Sequence, residues 1–200
     1  MNIKEVGKLF VESLNDITIK LEENDDGRLE SLNSEDNVTD YLREEFGDKL
    51  TFIPKGHNRD FGDITVVIDG IEHPINVKMV SEGNSYNAGG PKLFNYILFN
   101  KTTGHWKPIV KDILDKQPTT IENDYYYLIV YKRTDKTPQF FGLCEVADES
   151  IITNPANPIQ FKYNLRVKTR SDEEKCSFII KLFKEVLRKK AEPYLMLEGV

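Results

Sequence analysis

Three polar residues of different types are expected to meet at one end of a predicted hairpin. Asp63 begins the first strand, and the dipeptide Asp69-Gly70 is a strong signal for a two-residue turn. Asp63 lies six residues before Asp69 and Asn76 six after Gly70, so arms of equal length set the two opposite each other. Lys78 follows Asn76 on the same strand face. Carboxylate and amide oxygens can bind a hard cation, and an amine can stabilise developing negative charge.

The elements that must position these residues follow from the spacing of apolar side chains. A helix is predicted over residues 1–22, and a second runs from an N-cap at Ser34 to a stop at Gly47. The order of helices and strands predicts an α/β fold, a mixed sheet with helices packed on both sides. The further predictions are strands at Leu50–Ile53, Ile64–Ile68, Ile71–Val80, Asp124–Tyr131, Phe140–Val146 and Ile159–Val167, a polar loop at Ser81–Gly90, and helices from Pro91, over 105–116 and over Asp172–Ala191.

Composition describes an ordinary globular domain. The 200 residues are 39% apolar, enough for one domain, 1–200, with a hydrophobic core. No uninterrupted run of about 18 apolar residues would span a membrane, and the N-terminal segment has charges inside its apolar stretch, unlike a secretory signal. The two cysteines, Cys144 and Cys176, are too few for a disulfide framework or a zinc cluster. A cytoplasmic location is therefore expected.

Charge is unevenly distributed along the chain. The formal net charge is −6, yet residues 1–50 carry 6 basic and 14 acidic side chains, while residues 159–190 carry 10 basic and 4 acidic ones. A polarised molecule of this kind can present a basic face to a polyanion while remaining acidic as a whole. A solvated charged surface is the alternative interpretation, so charge permits nucleic-acid binding without requiring it.

The string Asp63-x12-Asn76-Val77-Lys78 resembles the motif of the PD-(D/E)XK nucleases. In that superfamily an acid starts one strand, an acid-x-lysine follows on the next, and an upstream helix carries a glutamate. The resemblance covers about residues 34–131 and implies a restriction endonuclease-like core. Its hairpin, loop and following helix are similar to those of type II restriction endonucleases of the HincII and EcoRV branch.

The resemblance also implies a role for each site residue. Asp63 is implied to bind Mg²⁺, and Lys78 to orient or activate the attacking water. Asn76 occupies the position of the second acid and is implied to be a further metal ligand. Glu35 is the best candidate for the helical glutamate, with Glu44 as a weaker one. The implied catalytic set is therefore Asp63, Asn76, Lys78 and Glu35.

Two positions depart from the family pattern. Gly62, rather than proline, precedes Asp63, and Asp60 competes with Asp63 for the role of the first acid. Asn76 replaces an acid, and its amide oxygen can bind Mg²⁺ without contributing charge. Metal affinity is expected to fall, with Glu35 or the scissile phosphate supplying more of the negative field.

Residues suited to DNA contact follow the motif. The Ser81–Gly90 loop offers short donors and acceptors, and the N-terminus of the helix that starts at Pro91 has free N–H groups suited to a phosphate. Residues 160–170 alternate polar with apolar types, and Asn, Gln and Arg suit purine edges. A plain connection and a solvated strand face are the alternatives. The predicted DNA-binding residues are Asn84, Ser85, Tyr86, Asn87, Lys92, Gln160, Lys162, Asn164, Arg166 and Lys168.

The expected function is that of a type II restriction endonuclease. It would use Mg²⁺ to hydrolyse double-stranded DNA at a short specific site and leave 5′-phosphates. Cutting both strands of a palindrome needs two active sites, hence a homodimer, with the helical element at 1–30 as a possible contact, 34–131 as catalytic core and 132–200 as C-terminal strands and helix. A host would need a cognate DNA methyltransferase. The alternatives are a repair or recombination nuclease of the same fold, a catalytically inactive DNA-binding protein, and an α/β interaction protein that is not a nuclease.

Overall fold

The computed structural model describes residues 1–15, 27–54, 61–132 and 136–195, with the side chains of 27–34 and 195 excepted. Asp60 and the rest of the expected helical segment after Asn15, up to residue 22, fall outside these ranges. The elements are the helices α1 (Ile3–Asn15), α2 (Gly27–Phe46), α3 (Pro91–Phe99), α4 (Trp106–Lys116) and α5 (Asp172–Leu195), and the strands β1 (Thr51–Phe52), β2 (Ile64–Ile68), β3 (Ile71–Val80), β4 (Tyr86–Gly89), β5 (Tyr126–Tyr131), β6 (Gln139–Gly142), β7 (Ile151–Ile152) and β8 (Ile159–Phe161).

The chain forms two compact units, each built from two separate stretches of sequence. Unit 1 comprises Met1–Glu82 and Tyr125–Gly142, and unit 2 comprises Gly83–Asp124 and Leu143–Val200. The catalytic candidates Glu35, Asp63, Asn76 and Lys78 all belong to unit 1. All the predicted DNA-binding residues belong to unit 2.

Unit 1 contains a five-stranded sheet in the order β1-β2-β3-β5-β6. β3 and β5 run parallel, and the other neighbouring pairs are antiparallel. The prediction of a mixed α/β fold, with a mixed sheet flanked by helices, is confirmed.

The core of unit 1 lies between helices α1 and α2 and one face of this sheet. Alternate residues of β3 point to this face, as the period of a strand requires. The rings of Phe10 on α1 and Phe46 on α2 lie 5.4 Å apart, centroid to centroid. The buried apolar residues of this core include Val6, Phe10, Leu14, Val38, Leu42, Phe46, Ile75, Val77, Met79, Tyr126, Leu128 and Val130.

The central hairpin was predicted correctly. β2 and β3 pair antiparallel with Ile64 opposite Ile75, and Asp69 and Gly70 form the turn with φ values of 51° and 78°. Two consecutive positive φ angles fit a type I′ turn, which the Asp-Gly dipeptide favours. Pro74 pairs within the hairpin, opposite Thr65.

Unit 2 contains a three-stranded antiparallel sheet in the order β4-β8-β7. An aromatic cluster joins its helices: the ring of Phe94 on α3 lies 5.1 Å from that of Phe183 on α5, and Trp106 at the start of α4 lies 5.8 Å from Phe183. Cys144 is buried, as expected of a core residue, and Cys176 is buried too. Burial raises the pKa of both thiols.

Several predicted boundaries are wrong. α2 begins at Gly27 rather than at an N-cap at Ser34, so Ser34 lies inside the helix. The predicted loop Ser81–Gly90 contains strand β4, because Tyr86–Gly89 pairs with β8, a partner distant in sequence. Local turn residues favoured a loop, and long-range pairing overrode them.

Four predicted strands are shorter in the structure. β1 (Thr51–Phe52) and β5 (Tyr126–Tyr131) each lack two of the predicted residues, and β6 and β8 lack more. β6 ends at Gly142, where a short 3₁₀ helix at Leu143–Glu145 takes over from the predicted Phe140–Val146 strand. β8 ends at Phe161 rather than at Val167, although buried and exposed residues keep alternating as far as Arg166. The alternation therefore reflects one buried side of an irregular segment, which hydrophobic pattern cannot distinguish from a strand.

Among the described residues, no helix has both the length and the apolar character needed to cross a lipid bilayer.

Candidate active site

The site forms where β3 continues beyond its partner β2. The backbone N–H of Asp63 donates to the carbonyl of Ile75 at 3.0 Å, just outside the pair formed by Ile64 and Ile75. β3 then extends as far as Val80. This edge of β3 carries backbone N–H groups that β2 does not reach, and buried N–H groups require acceptors.

Two carboxylates accept these N–H groups. The N–H of Val77 donates to Oδ2 of Asp63 at 2.7 Å, and the N–H of Met79 donates to the carboxylate of Glu35. Glu35 is the ninth residue of α2, a helix that packs against β3. The sequence placed Glu35 in the first turn of this helix, and the earlier start of α2 corrects that placement. The strand edge thus fixes the positions of both carboxylates.

Lys78 connects the two acids. Its Nζ lies 3.1 Å from Oε2 of Glu35 and 3.9 Å from Oδ2 of Asp63, and it also donates to the carbonyl of Val77 at 2.9 Å. The side chain of Lys78 is 19% exposed, that of Glu35 12% and that of Asp63 34%. This is a largely desolvated cluster, in which charge interactions are stronger than on an open surface.

Glu35 has a pKa above the ordinary value of 4.5 for its type. Burial is the largest cause, and the nearby negative charge of Asp63 acts in the same direction, whereas Lys78 lowers the pKa by its positive charge and hydrogen bond. The carboxyl group of Glu35 therefore keeps its proton to a higher pH than an exposed glutamate does.

Asn76 carries an unsatisfied acceptor. Its Oδ1 is buried and has no hydrogen-bond donor among the described residues. Asn76 lies on the same face of β3 as Lys78, and extending the β2–β3 register by one residue sets it opposite Asp63. Leaving a buried carbonyl oxygen unpaired costs on the order of 1–3 kcal/mol. The buried Oδ1 of Asn76 is therefore available to a ligand that binds oxygen atoms.

These oxygens fit a magnesium ion by type. Mg²⁺ prefers carboxylate and amide oxygens and is commonly held by one or two carboxylates, and the candidates are Asp63, Glu35 and Asn76. Within the described ranges there is no metal-binding group of three or more His, Cys, Asp or Glu side chains. The buried amide oxygen of Asn76 is the candidate for a further donor. Glu44, the weaker candidate, is exposed, and the contacts of Lys78 are to Glu35, Asp63 and Val77 instead.

Two further residues position Asp63, and the sequence did not single them out for this role. The hydroxyl of Tyr125 donates to the carbonyl of Phe61 at 2.6 Å, and the two rings lie 4.8 Å apart. A side chain on Gly62 would place its Cβ 3.1 Å from the backbone nitrogen of Ile75. Glycine at position 62 therefore lets the segment before Asp63 lie close against β3. Tyr125 carried no local signal, because its partner is 64 residues away.

Some of the predicted DNA-binding residues meet in the small sheet of unit 2. Asn87 on β4 and Gln160 on β8 are opposite partners, and their side chains are joined by a hydrogen bond of 3.0 Å. The ring of Tyr86 packs against Phe161 at 5.7 Å, so Tyr86 contributes to the packing of this sheet. Asn84 and Ser85 are exposed before the start of β4.

The predicted basic residues of unit 2 have different environments. Lys162 and Arg166 are exposed, as is Asn164. Lys168 forms an ion pair of 2.7 Å with Asp148, which competes with a role in binding phosphate. Lys92 is exposed at the start of α3. Neither α3 nor α4 has a side-chain cap at its N-terminus.

No protein-family model matches this chain, and a search of curated proteins returns no match.

Proposed function

We propose that this protein is a Mg²⁺-dependent endonuclease with a restriction endonuclease-like core that hydrolyses phosphodiester bonds of double-stranded DNA. The observation that carries the proposal is the convergence of Glu35, Asp63 and Lys78 at the free edge of β3, on the strand whose Asn76 holds an unsatisfied oxygen. Residues 43 apart in sequence are brought into one desolvated cluster of two acids and one amine. Burying such a cluster costs free energy, and ionisable groups with perturbed pKa values concentrate at functional sites.

The chain's own residues supply most of the requirements of hydrolysis. A bound Mg²⁺, held by Asp63, Glu35 and Asn76, would act as a Lewis acid and lower the pKa of its water. Lys78 is fixed by Glu35 and by the Val77 carbonyl, so its ammonium group is oriented before substrate binds. It attracts the scissile phosphate, stabilises the negative charge that develops there and orients the attacking water. Direct attack by water on the phosphorus breaks the bond to O3′, so that a 5′-phosphate and a 3′-hydroxyl are left.

Cleavage of duplex DNA implies a homodimer, a cognate methyltransferase and a DNA-contacting surface. One cluster cuts one strand, so cleavage of both strands at a palindromic site requires two copies, and we expect a homodimer. Sequence-specific cleavage would require protection of host DNA by a cognate methyltransferase. The contacts to DNA come from the exposed polar and basic residues of unit 2.

The test is digestion of unmethylated phage DNA with Mg²⁺, comparing the wild type with Lys78→Ala. Discrete fragments that the variant fails to produce would support a site-specific endonuclease, and end mapping would give the site. The matched control is Lys8→Ala, which removes a lysine that is 77% exposed on α1 and pairs only with its helical neighbour Glu12 among the described residues. Fragments that persist in Lys78→Ala would contradict the proposed site.

A DNA-binding protein without catalytic activity is the second candidate, and Asn76 favours it. With an amide at the second acid position, the cluster has two carboxylates where three would bind the cation more tightly. This candidate predicts retention of DNA by the folded protein with no cleavage in either Mg²⁺ or Mn²⁺. A smear of fragments that requires Lys78 would instead point to a repair or recombination nuclease.

A further inference from the structure

Three side-chain amides form a chain across the sheet of unit 2. Asn154 Nδ2 donates to Gln160 Oε1 at 2.8 Å, and Gln160 Nε2 donates to Asn87 Oδ1 at 3.0 Å. Gln160 lies on the central strand β8, Asn87 lies opposite it on β4, and Asn154 follows β7. A β-bulge between Asn87 and Gly89 interrupts the ladder beside the pair. Bulges of this kind redirect a side chain and are frequent next to functional sites.

A backbone group fixes the direction of this chain. The N–H of Asn157 can only donate, and it donates to Oδ1 of Asn154 at 2.6 Å. Asn154 must therefore present its amino group to Gln160, and Gln160 must present its own amino group to Asn87. The orientation of an amide is normally assigned from its hydrogen-bond partners. Here one unambiguous donor orients all three amides.

The chain of side-chain amides ends in amino groups. Asn87 is exposed, its oxygen is engaged by Gln160, and its Nδ2 has no acceptor among the described residues. The amino group of Gln160 retains a second N–H beside it. Asn87 and Asn157 also line a cleft of about 410 Å³ whose wall includes Trp106 and Lys190. The amino groups of Asn87 and Gln160 thus offer two adjacent N–H donors, which select a ligand with two adjacent acceptors.

We propose that Asn87, oriented by Gln160 and Asn154, reads a guanine in the major groove of the DNA. This inference rests on the proposed function, which makes duplex DNA the substrate. Guanine presents two acceptors, N7 and O6, whereas adenine presents the acceptor N7 and the amino group on C6. Guanine O6 and N7 can accept from the two amino groups of Asn87 and Gln160. The amino group of adenine would face a second donor, and one N–H would be left unpaired.

The first experiment is selection of bound duplexes from a random library, with Ca²⁺ in place of Mg²⁺ so that binding is read without cleavage. We expect a guanine at a fixed position in the enriched site. Replacing it by 7-deazaguanine, which lacks the N7 acceptor, should weaken binding on the order of 10- to 100-fold. Replacing it by hypoxanthine, which keeps N7 and O6, should leave binding unchanged.

Two variants test whether the amide chain sets this preference. Asn154→Ala removes the anchor, so the amide of Gln160 can turn, and we expect the preference for guanine over adenine to shrink while binding to non-specific DNA is unchanged. Asn87→Asp presents an acceptor and should favour a base with an amino group at that position, adenine or cytosine. Thr153→Ala is the control, because the hydroxyl of Thr153 donates a hydrogen bond to Glu185 at 2.8 Å and takes no part in the chain of amides.

The outcomes separate this inference from the proposed function. Enrichment of guanine without cleavage in Mg²⁺ would support the inference and overturn the proposed endonuclease. Cleavage at sites where 7-deazaguanine has no effect at any guanine would overturn the inference alone, as would equal losses on all substrates in Asn154→Ala. A folded protein that neither binds nor cleaves duplex DNA would overturn both.

Discussion

At the scale of single residues, the site depends on acceptors and donors that a strand edge holds in place. The carboxylates of Asp63 and Glu35 accept the N–H groups of Val77 and Met79, positions that a neighbouring strand would otherwise fill. The hairpin spacing predicted that Asp63 and Lys78 lie close together, and the family resemblance alone pointed to Glu35. The structure brings the three side chains together. The sequence could not show that the backbone of β3 anchors both acids. That arrangement depends on where β2 ends and where α2 crosses the sheet.

The raised pKa of Glu35 predicts that the stability of the protein depends on pH. Its pKa is raised in the folded protein, so the native state binds its proton more tightly than the unfolded state does. This contribution to stability is complete below about pH 4.5, the ordinary pKa, and is lost as the pH rises through the folded value. We therefore expect the free energy of unfolding of the wild type, minus that of Glu35→Gln, to fall as the pH rises above 4.5. Urea titrations between pH 4 and pH 8 measure this difference, and a rise would contradict the buried glutamic acid.

The proposed role of Asn76 as a ligand predicts that its substitution changes the affinity for Mg²⁺. Asn76→Asp introduces an acid at that position, and we expect the Mg²⁺ concentration for half-maximal binding to fall on the order of tenfold, since charge count among the ligands sets affinity. Asn76→Ala removes the oxygen and should raise that concentration. Calorimetric titration with Mg²⁺ measures both variants. If neither substitution changes Mg²⁺ binding, the buried oxygen of Asn76 is not a ligand.

At the scale of elements, the helices and strands that the sequence predicts correctly depend on local signals, and the strand that it misses depends on a long-range contact. The β2–β3 hairpin was predicted to the residue, because its turn and its alternation are encoded within 17 residues. α3, α4 and the start of α5 were also predicted correctly, since a proline in the first turn and the helical spacing of apolar residues are local signals. β4 was missed because its only strand partner among the described residues, β8, lies some 70 residues away. Local residues carry no information about that partner.

Helix α1 depends on a close approach to the sheet. A side chain on Gly7 would place its Cβ within the ring of Phe140 on β6. In an open helix, Gly→Ala would stabilise the protein by up to about 1 kcal/mol, but overpacking costs about 1–3 kcal/mol. We expect Gly7→Ala to lower the free energy of unfolding by about 1 kcal/mol, measured by denaturant titration.

A double-mutant cycle tests the cause. In a protein that already carries Phe140→Ala, Gly7→Ala should no longer lower the free energy of unfolding and should be neutral or stabilising. Lys8→Ala, on the exposed side of the same helix, should stay within about 0.5 kcal/mol of the wild type. A loss at Gly7 that persists without the ring of Phe140 would show that another contact is responsible.

At the scale of the whole molecule, the distribution of charge makes a prediction about salt. The chain is acidic overall, at −6, yet residues 159–190 carry a net charge of +6. Lysine contacts to phosphate release counterions, and the dependence of log affinity on log salt becomes shallower by about 0.9 for each contact removed. We expect Lys162→Ala to reduce the slope by about one, and Lys8→Ala to leave it unchanged. Fluorescence anisotropy with a labelled duplex between 50 and 300 mM salt measures both slopes, and equal slopes would exclude Lys162 from the interface.

The order in which the two units use the chain has a consequence for synthesis on the ribosome. The central strand β3 is flanked by β2 and β5, and β5 belongs to the second stretch of unit 1, after Gly83–Asp124 of unit 2 has been made. A nascent chain ending before Tyr126 therefore has β3 as an uncovered edge, although Glu35, Asp63 and Lys78 are already present. The cluster of acids and lysine cannot be locked into its sheet until translation has passed residue 131. If the protein has the proposed endonuclease activity, it would in this way remain inactive through most of its own translation.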